Sequence, residues 1–254
     1  MRKYVLLAAM ALVAMLVPSV AQADVQSVVT KVTPTKLDKK KVKPVTLFVD
    51  VITESNDEDT TFTQPPSADR TQVDFSKNLK FDPDAVPNCA TTAGGLQNTT
   101  TDTAKDLCGS KSIVSVSGAG KTEATVIVDT LPNVANDPIV VPVVVTAFNG
   151  AEKDTIYLHA RADSVNNTSV LVGKLKKASG SYGSTLDVTI PDLLAGAIAD
   201  FKTTVKAGKY VQANCKDKTP NFGARSEYEN HTPTKATFTD KCKQKKKKKK
   251  KKKK

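Results

Sequence analysis

The feature that most constrains this chain is a period-two alternation of apolar side chains that keeps returning. Val45, Leu47, Val49 and Val51 fall on one face, with Thr46 and Asp50 between them. Similar runs occur at 71–75, 112–117, 123–128, 139–148, 154–162, 169–176, 184–190, 202–211 and 235–239. Alternation of this kind scatters around a helix but gathers on one face of a pleated strand. The intervals are rich in Gly, Pro, Asn and Asp, which favour turns. Asn149-Gly150 between two β-type runs is a strong hairpin signal. Repeated short strands predict an all-β fold, an antiparallel β-sandwich of immunoglobulin-like or jelly-roll-like type over residues 44–242. One sandwich or two immunoglobulin-like units would both suit this length.

One short connecting helix is expected at 191–201. Pro191 suits a first helical position, and Leu193, Leu194, Ala197 and Ile198 have helical spacing. Residues 24–43 read as an N-terminal strand and linker, and 81–110 as a long irregular stretch.

The N-terminus carries an export pattern. Arg2 and Lys3 precede an apolar run at 5–17, Pro18 breaks it, and Ala21-Gln22-Ala23 offers small residues for cleavage before Asp24. Residues 1–23 are expected to be a signal peptide. The run falls short of the roughly 20 residues of a spanning helix, and no transmembrane helix is expected in the mature chain. The expected localisation is secreted, extracellular or cell-surface associated.

The formal net charge of +12 is concentrated at the ends. Lys245, Lys246, Lys247, Lys248, Lys249, Lys250, Lys251, Lys252, Lys253 and Lys254 form an unbroken run, and with Arg2 and Lys3 they account for all of it. Residues 4–244 are neutral overall. Adjacent cations repel and cannot pack, so 243–254 is expected to be a disordered poly-lysine tail. Its expected contacts are non-specific: anionic cell-wall polymers or lipid head groups. A solubilising tail with no partner explains the run equally well. No aromatics interleave the lysines, which argues against sequence-specific nucleic-acid recognition.

Export places Cys89, Cys108, Cys215 and Cys242 in an oxidising environment, where an even count points to disulfides. Four cysteines allow three pairings, and loop length favours Cys89–Cys108 and Cys215–Cys242. No C-x-x-C spacing supports zinc.

Several stretches together resemble a family of exported proteins of high-GC Gram-positive bacteria with no known activity. They are Lys43-Pro44-Val45-Thr46-Leu47, Lys80-Phe81-Asp82-Pro83, Pro87-Asn88-Cys89, Cys108-Gly109-Ser110-Lys111-Ser112 and Val145-Thr146-Ala147-Phe148-Asn149-Gly150. Leu175-Lys176-Lys177-Ala178-Ser179-Gly180-Ser181-Tyr182-Gly183 and Thr189-Ile190-Pro191 complete the set. The resemblance implies an exported β-sandwich with two local disulfides, and it transfers no site residue. Gly109 departs from the family pattern, which has proline there, and Ser115-Val116-Ser117-Gly118 is a looser version of its turn.

Chemistry-bearing motifs are sparse. Gly118-Ala119-Gly120-Lys121-Thr122 mimics the end of a phosphate loop, but Ser115 stands where the first glycine belongs and a strand follows. His159 and His231 lack metal or catalytic spacing and read as structural or surface residues. Asn56-Asp57-Glu58-Asp59 offers oxygen ligands without the spacing of a calcium loop. With no Trp, a sugar platform would have to rest on Tyr157, Tyr182, Tyr210 or Tyr228. No catalytic, cofactor or metal residue is assigned. The expectation is a non-enzymatic exported protein of the cell envelope or extracellular space, with its poly-lysine tail as the candidate means of retention on anionic surfaces and an extracellular carbohydrate- or ligand-binding module as the alternative.

Overall fold

The computed structural model describes residues 25–55, 64–129, 138–191, 196–206 and 208–245. The expected signal peptide, the acidic stretch at 56–59 and Lys246 to Lys254 lie outside the described residues.

Eleven strands build the main sheet. They are β1 (Val25–Thr33), β2 (Thr46–Glu54), β3 (Arg70–Ser76), β4 (Glu123–Asp129), β5 (Pro138–Asn149), β6 (Thr155–Ala162), β7 (Asn167–Lys177), β8 (Tyr182–Thr189), β9 (Gly196–Val205), β10 (Asn221–Glu227) and β11 (Thr234–Thr239). Their order is β1-β2-β9-β4-β5-β6-β7-β8-β3-β10-β11, and every neighbouring pair is antiparallel. Alternation sets which side each residue faces. Along β2, Leu47, Val49 and Val51 are buried while Thr46, Phe48 and Asp50 are only partly so.

This is not the expected sandwich. The strands form one continuous sheet whose two edges come together in a nearly closed barrel. β1 lies against β10 and β11, and Gln26 Nε2 donates to Ser226 Oγ across that junction at 2.7 Å. Strand direction alternates at each antiparallel pairing, so the first and eleventh strands run the same way. The closing contact is therefore parallel: Lys36–Leu37, just after β1, pairs with Lys243–Gln244, just after β11. Lys243 N donates to Thr35 O at 2.9 Å and Lys245 N to Leu37 O at 2.8 Å. A single twisted sheet of this width curls on itself and so conceals its apolar face without needing a second sheet.

The segment read as strand and linker is thus the first barrel strand. The Cys215–Cys242 disulfide sits beside the closing pair, with Cα atoms 5.8 Å apart. Cys215 N donates to Asp38 O, and Gln244 Nε2 to Cys215 O.

One end of the barrel is capped. Lys43–Pro44, Val211–Ala213 and Leu79–Phe81 form a separate three-stranded sheet there. The excursion from Asp82 to Thr122 leaves the same end and folds over the outer face of β5, β6 and β7. It carries the helix α1 (Thr101–Cys108) inside the stretch read as irregular. Thr100 caps α1 by accepting from Thr103 N at 3.2 Å. Gly109 ends it at φ 80°, a conformation closed to proline. The Cys89–Cys108 disulfide, with Cα atoms 4.1 Å apart, holds the excursion so that its Leu96 and Ala104 pack over Phe148, Tyr157 and Val170.

Two further expectations are corrected. The helix at 191–201 does not form over its described part: Gly196–Val205 is a strand. Its register shifts between Ile198 and Asp200, a bulge that breaks the alternation and leaves apolar spacing resembling a helix. Residues 112–117 make only isolated bridges, Ile113 to Phe148 and Ser115 to Val205, because the chain there crosses the barrel end. β10 lies in a stretch without a clear sequence signal.

Candidate functional site

An eight-stranded barrel is just wide enough for its own side chains to fill, and diameter grows with strand number. Eleven strands lined by small side chains leave space. Two apolar chambers occupy the interior, of about 100 Å³ and about 230 Å³. The first runs from Phe81 and Tyr210 at the capped end, past Leu47 and Val73, to Ala68 and Tyr228. The second is walled by β4, β5 and β6 through residues such as Ala124, Val126, Val143 and Ala160. Leu171, Ile198 and Phe201 border both chambers. Ile139 and Val165, 48% and 55% exposed, stand on the rim of the second chamber, so it reaches the surface away from the cap.

The side chains come from the inward positions of the strands. Valine and alanine at 124, 126, 143 and 160 suit a pleated wall but project only a short way. Among the described residues, no Lys, Arg, His, Asp or Glu borders either chamber. Eight hydroxyl side chains stand among the mostly aliphatic lining residues; Thr71 and Ser226 bond each other at 2.9 Å, and Tyr228 bonds Thr234 at 2.9 Å. Tyr210 is 3% exposed and its hydroxyl has no partner. Burial, and then the Asp154 carboxylate, push that phenol above the usual tyrosine range.

Charged groups collect instead on the outer face. Asp187 accepts from Arg70 Nε at 2.6 Å and from Lys176 Nζ at 2.6 Å, and Arg70 also reaches Glu227 at 3.1 Å. Arg70 above all holds the Asp187 carboxyl well below the usual range. On β2 and β9, Asp50 lies beside Asp200, which binds Lys202 Nζ. Burial, reinforced by the neighbouring Asp200 charge, raises the Asp50 carboxyl from 3.8 to about 6. The folded state therefore holds an extra proton between about pH 4 and pH 6, and the stability this gives is lost as pH rises through 6. Asp50→Asn is expected to raise the melting temperature at pH 8 and to leave it nearly unchanged near pH 4, as thermal unfolding at both pH values would show.

The structure places the sequence candidates as follows. All four cysteines are in the two local disulfides, which fits an oxidising, extracellular-type environment. Lys245 leaves the closing pair at the capped end. His159 is fully buried beneath the excursion, with Nε2 3.0 Å from Thr99 Oγ1, and burial depresses its pKa. His231 is exposed against Tyr228. Gly118 to Thr122 is a turn leading into β4, with Lys121 N bonded to Gly118 O at 3.1 Å. Tyr157, Tyr210 and Tyr228 are buried and Tyr182 is half-buried, so they form no exposed sugar platform. Among the described residues, no cluster of His, Cys, Asp and Glu could hold a metal, and no helix is long and apolar enough to cross a membrane.

The chain matches no family model, no curated protein and no solved structure. The chambers themselves therefore carry the functional argument. Sequence reasoning missed them, because an inward valine reads the same in a filled core and in a cavity wall.

Proposed function

We propose that the chain is an exported, non-enzymatic binding protein that houses a small apolar ligand inside its barrel. The observation that carries this reading is the uncharged, under-filled interior. Each square ångström of apolar ligand surface moved from water into such a space contributes about 25 cal/mol. A void too small or too apolar for water gives its lining atoms nothing to touch, so an aliphatic occupant restores contacts as well. A sugar would bring many hydroxyls to mostly aliphatic walls, and each one left unpaired would cost about 1–3 kcal/mol. The apolar walls thus favour the ligand-binding side of the alternative over the carbohydrate side.

The reading is tested by native mass spectrometry of the protein purified from an oxidising expression compartment. A bound species that is released into organic solvent and absent after extraction is expected. A single apo mass, unchanged after incubation with apolar compounds, would contradict it.

The lysine run supports a second reading at another level, retention on anionic envelope polymers or lipid head groups. Deleting residues 245–254 is expected to release the exported protein into the medium at low salt. Equal retention of both forms at low and high salt would contradict it.

A further inference from the structure

Which apolar molecule fits is written in what the chambers lack and in the one polar atom they leave unpaired. This inference rests on the lumen reading and refines it. Among the described residues no cationic side chain borders either chamber, so a carboxylate, sulfonate or phosphate buried inside would be desolvated with no countercharge, at a cost no apolar contact recovers. An anionic head group is therefore excluded from the buried, capped end, beside Tyr210.

A pure hydrocarbon leaves the Tyr210 hydroxyl as it stands, buried and unpartnered. Of the residues bordering the two chambers, Tyr210 is the one whose buried polar atom lacks a partner. It stands at the capped end, its ring edge-on to Phe81 at 6.4 Å between centroids. A phenol can both donate and accept, so an alcohol oxygen or an ester carbonyl satisfies it equally. Sites with an unpaired buried polar group discriminate strongly against ligands that cannot pair with it. Leu171, Ile198 and Phe201 border both chambers, so a ligand that fills both must run past these side chains and be elongated rather than globular.

We propose that the ligand is a neutral, long-chain aliphatic molecule with a single oxygen function. Its polar end meets the Tyr210 hydroxyl at the capped end, and its chain passes Phe201 toward the rim at Ile139 and Val165.

The test is displacement of the neutral fluorophore N-phenylnaphthylamine from the purified protein by decanol, decane and decanoate at about pH 8. Decanol is expected to bind about tenfold more tightly than decane, the worth of one buried hydrogen bond, and more tightly still than decanoate. Tyr210→Phe keeps the ring and removes the oxygen. It is expected to abolish the preference of decanol over decane and leave decane affinity unchanged. The same substitution is expected to raise the melting temperature of the ligand-free protein, because an unsatisfied buried hydroxyl is gone. A merely structural tyrosine would instead lose stability and keep the ratio. Decanoate binding as tightly as decanol, or a decanol-to-decane ratio unchanged in Tyr210→Phe, would overturn the assignment while leaving the lumen reading intact. Failure of all three compounds and of the fluorophore to bind would overturn both.

Discussion

Replacing Cys215 and Cys242 with serine is expected to lower the stability of the barrel by about 2–5 kcal/mol, the usual cost of removing a native disulfide from a small exported domain. The effect should fall at the high end of that range, because this bridge does more than shorten the unfolded chain. The edges of the main sheet are joined by a two-residue parallel pair, Lys36–Leu37 with Lys243–Gln244, and Cys242 directly precedes Lys243. A pair that short has few ladder hydrogen bonds of its own. Without the bridge, β1 and β11 should present free edges, a template for pairing between molecules. Thermal unfolding should show the loss of stability, and size-exclusion chromatography should show association of the serine variant. The Cys89–Cys108 bridge makes the contrast: it tethers an excursion over the outer face. Its loss should free α1 without opening the sheet, so amide exchange should rise at 82–122 and stay low in the barrel strands.

Val143→Trp should nearly abolish ligand binding while the barrel stays folded. Val143 is 7% exposed and borders the larger chamber of about 230 Å³. In a close-packed core, inserting an indole would force side chains off their rotamers at about 1–3 kcal/mol or more. Here there is space to receive it, so the cost should lie at or below the lower end of that range. A ligand would then compete with the indole for the same volume, and its affinity should fall by at least about tenfold. A filled core and a binding cavity therefore predict opposite results. In a filled core the substitution would be severe for stability. In a cavity it is severe for binding alone.

The strands were readable because one face of each meets the interior and the other meets solvent. Leu47 to Val51 shows this pattern along β2, and Pro138–Asn149 is a strand where the most apolar run predicts one. The disulfide pairing followed from loop length and matches the structure. The architecture was not readable. Whether alternating strands form two sheets or one closed sheet depends on which distant edges meet, and no local pattern around Lys36 or Lys243 encodes that. The misplaced helix has a local cause. The bulge near Ala199 makes the spacing of Ala197, Ile198 and Phe201 ambiguous between a helix and an interrupted strand. α1 did leave signals, Thr100 at its cap and Gly109 at its end, but within a Thr-rich segment they resemble ordinary loop residues. Tyr210 stood out in the sequence only as one of four tyrosines beyond the expected signal peptide, since its significance lies in a hydroxyl without a partner, which only packing reveals.

The central claim is that the interior binds rather than merely fills. Equilibrium titration of the intact, disulfide-bonded protein with N-phenylnaphthylamine tests it most directly. The predicted result is saturable one-site binding with blue-shifted emission, weakened at least about tenfold in Val143→Trp. Emission that never saturates, or binding of equal strength in the wild type and Val143→Trp, would contradict it.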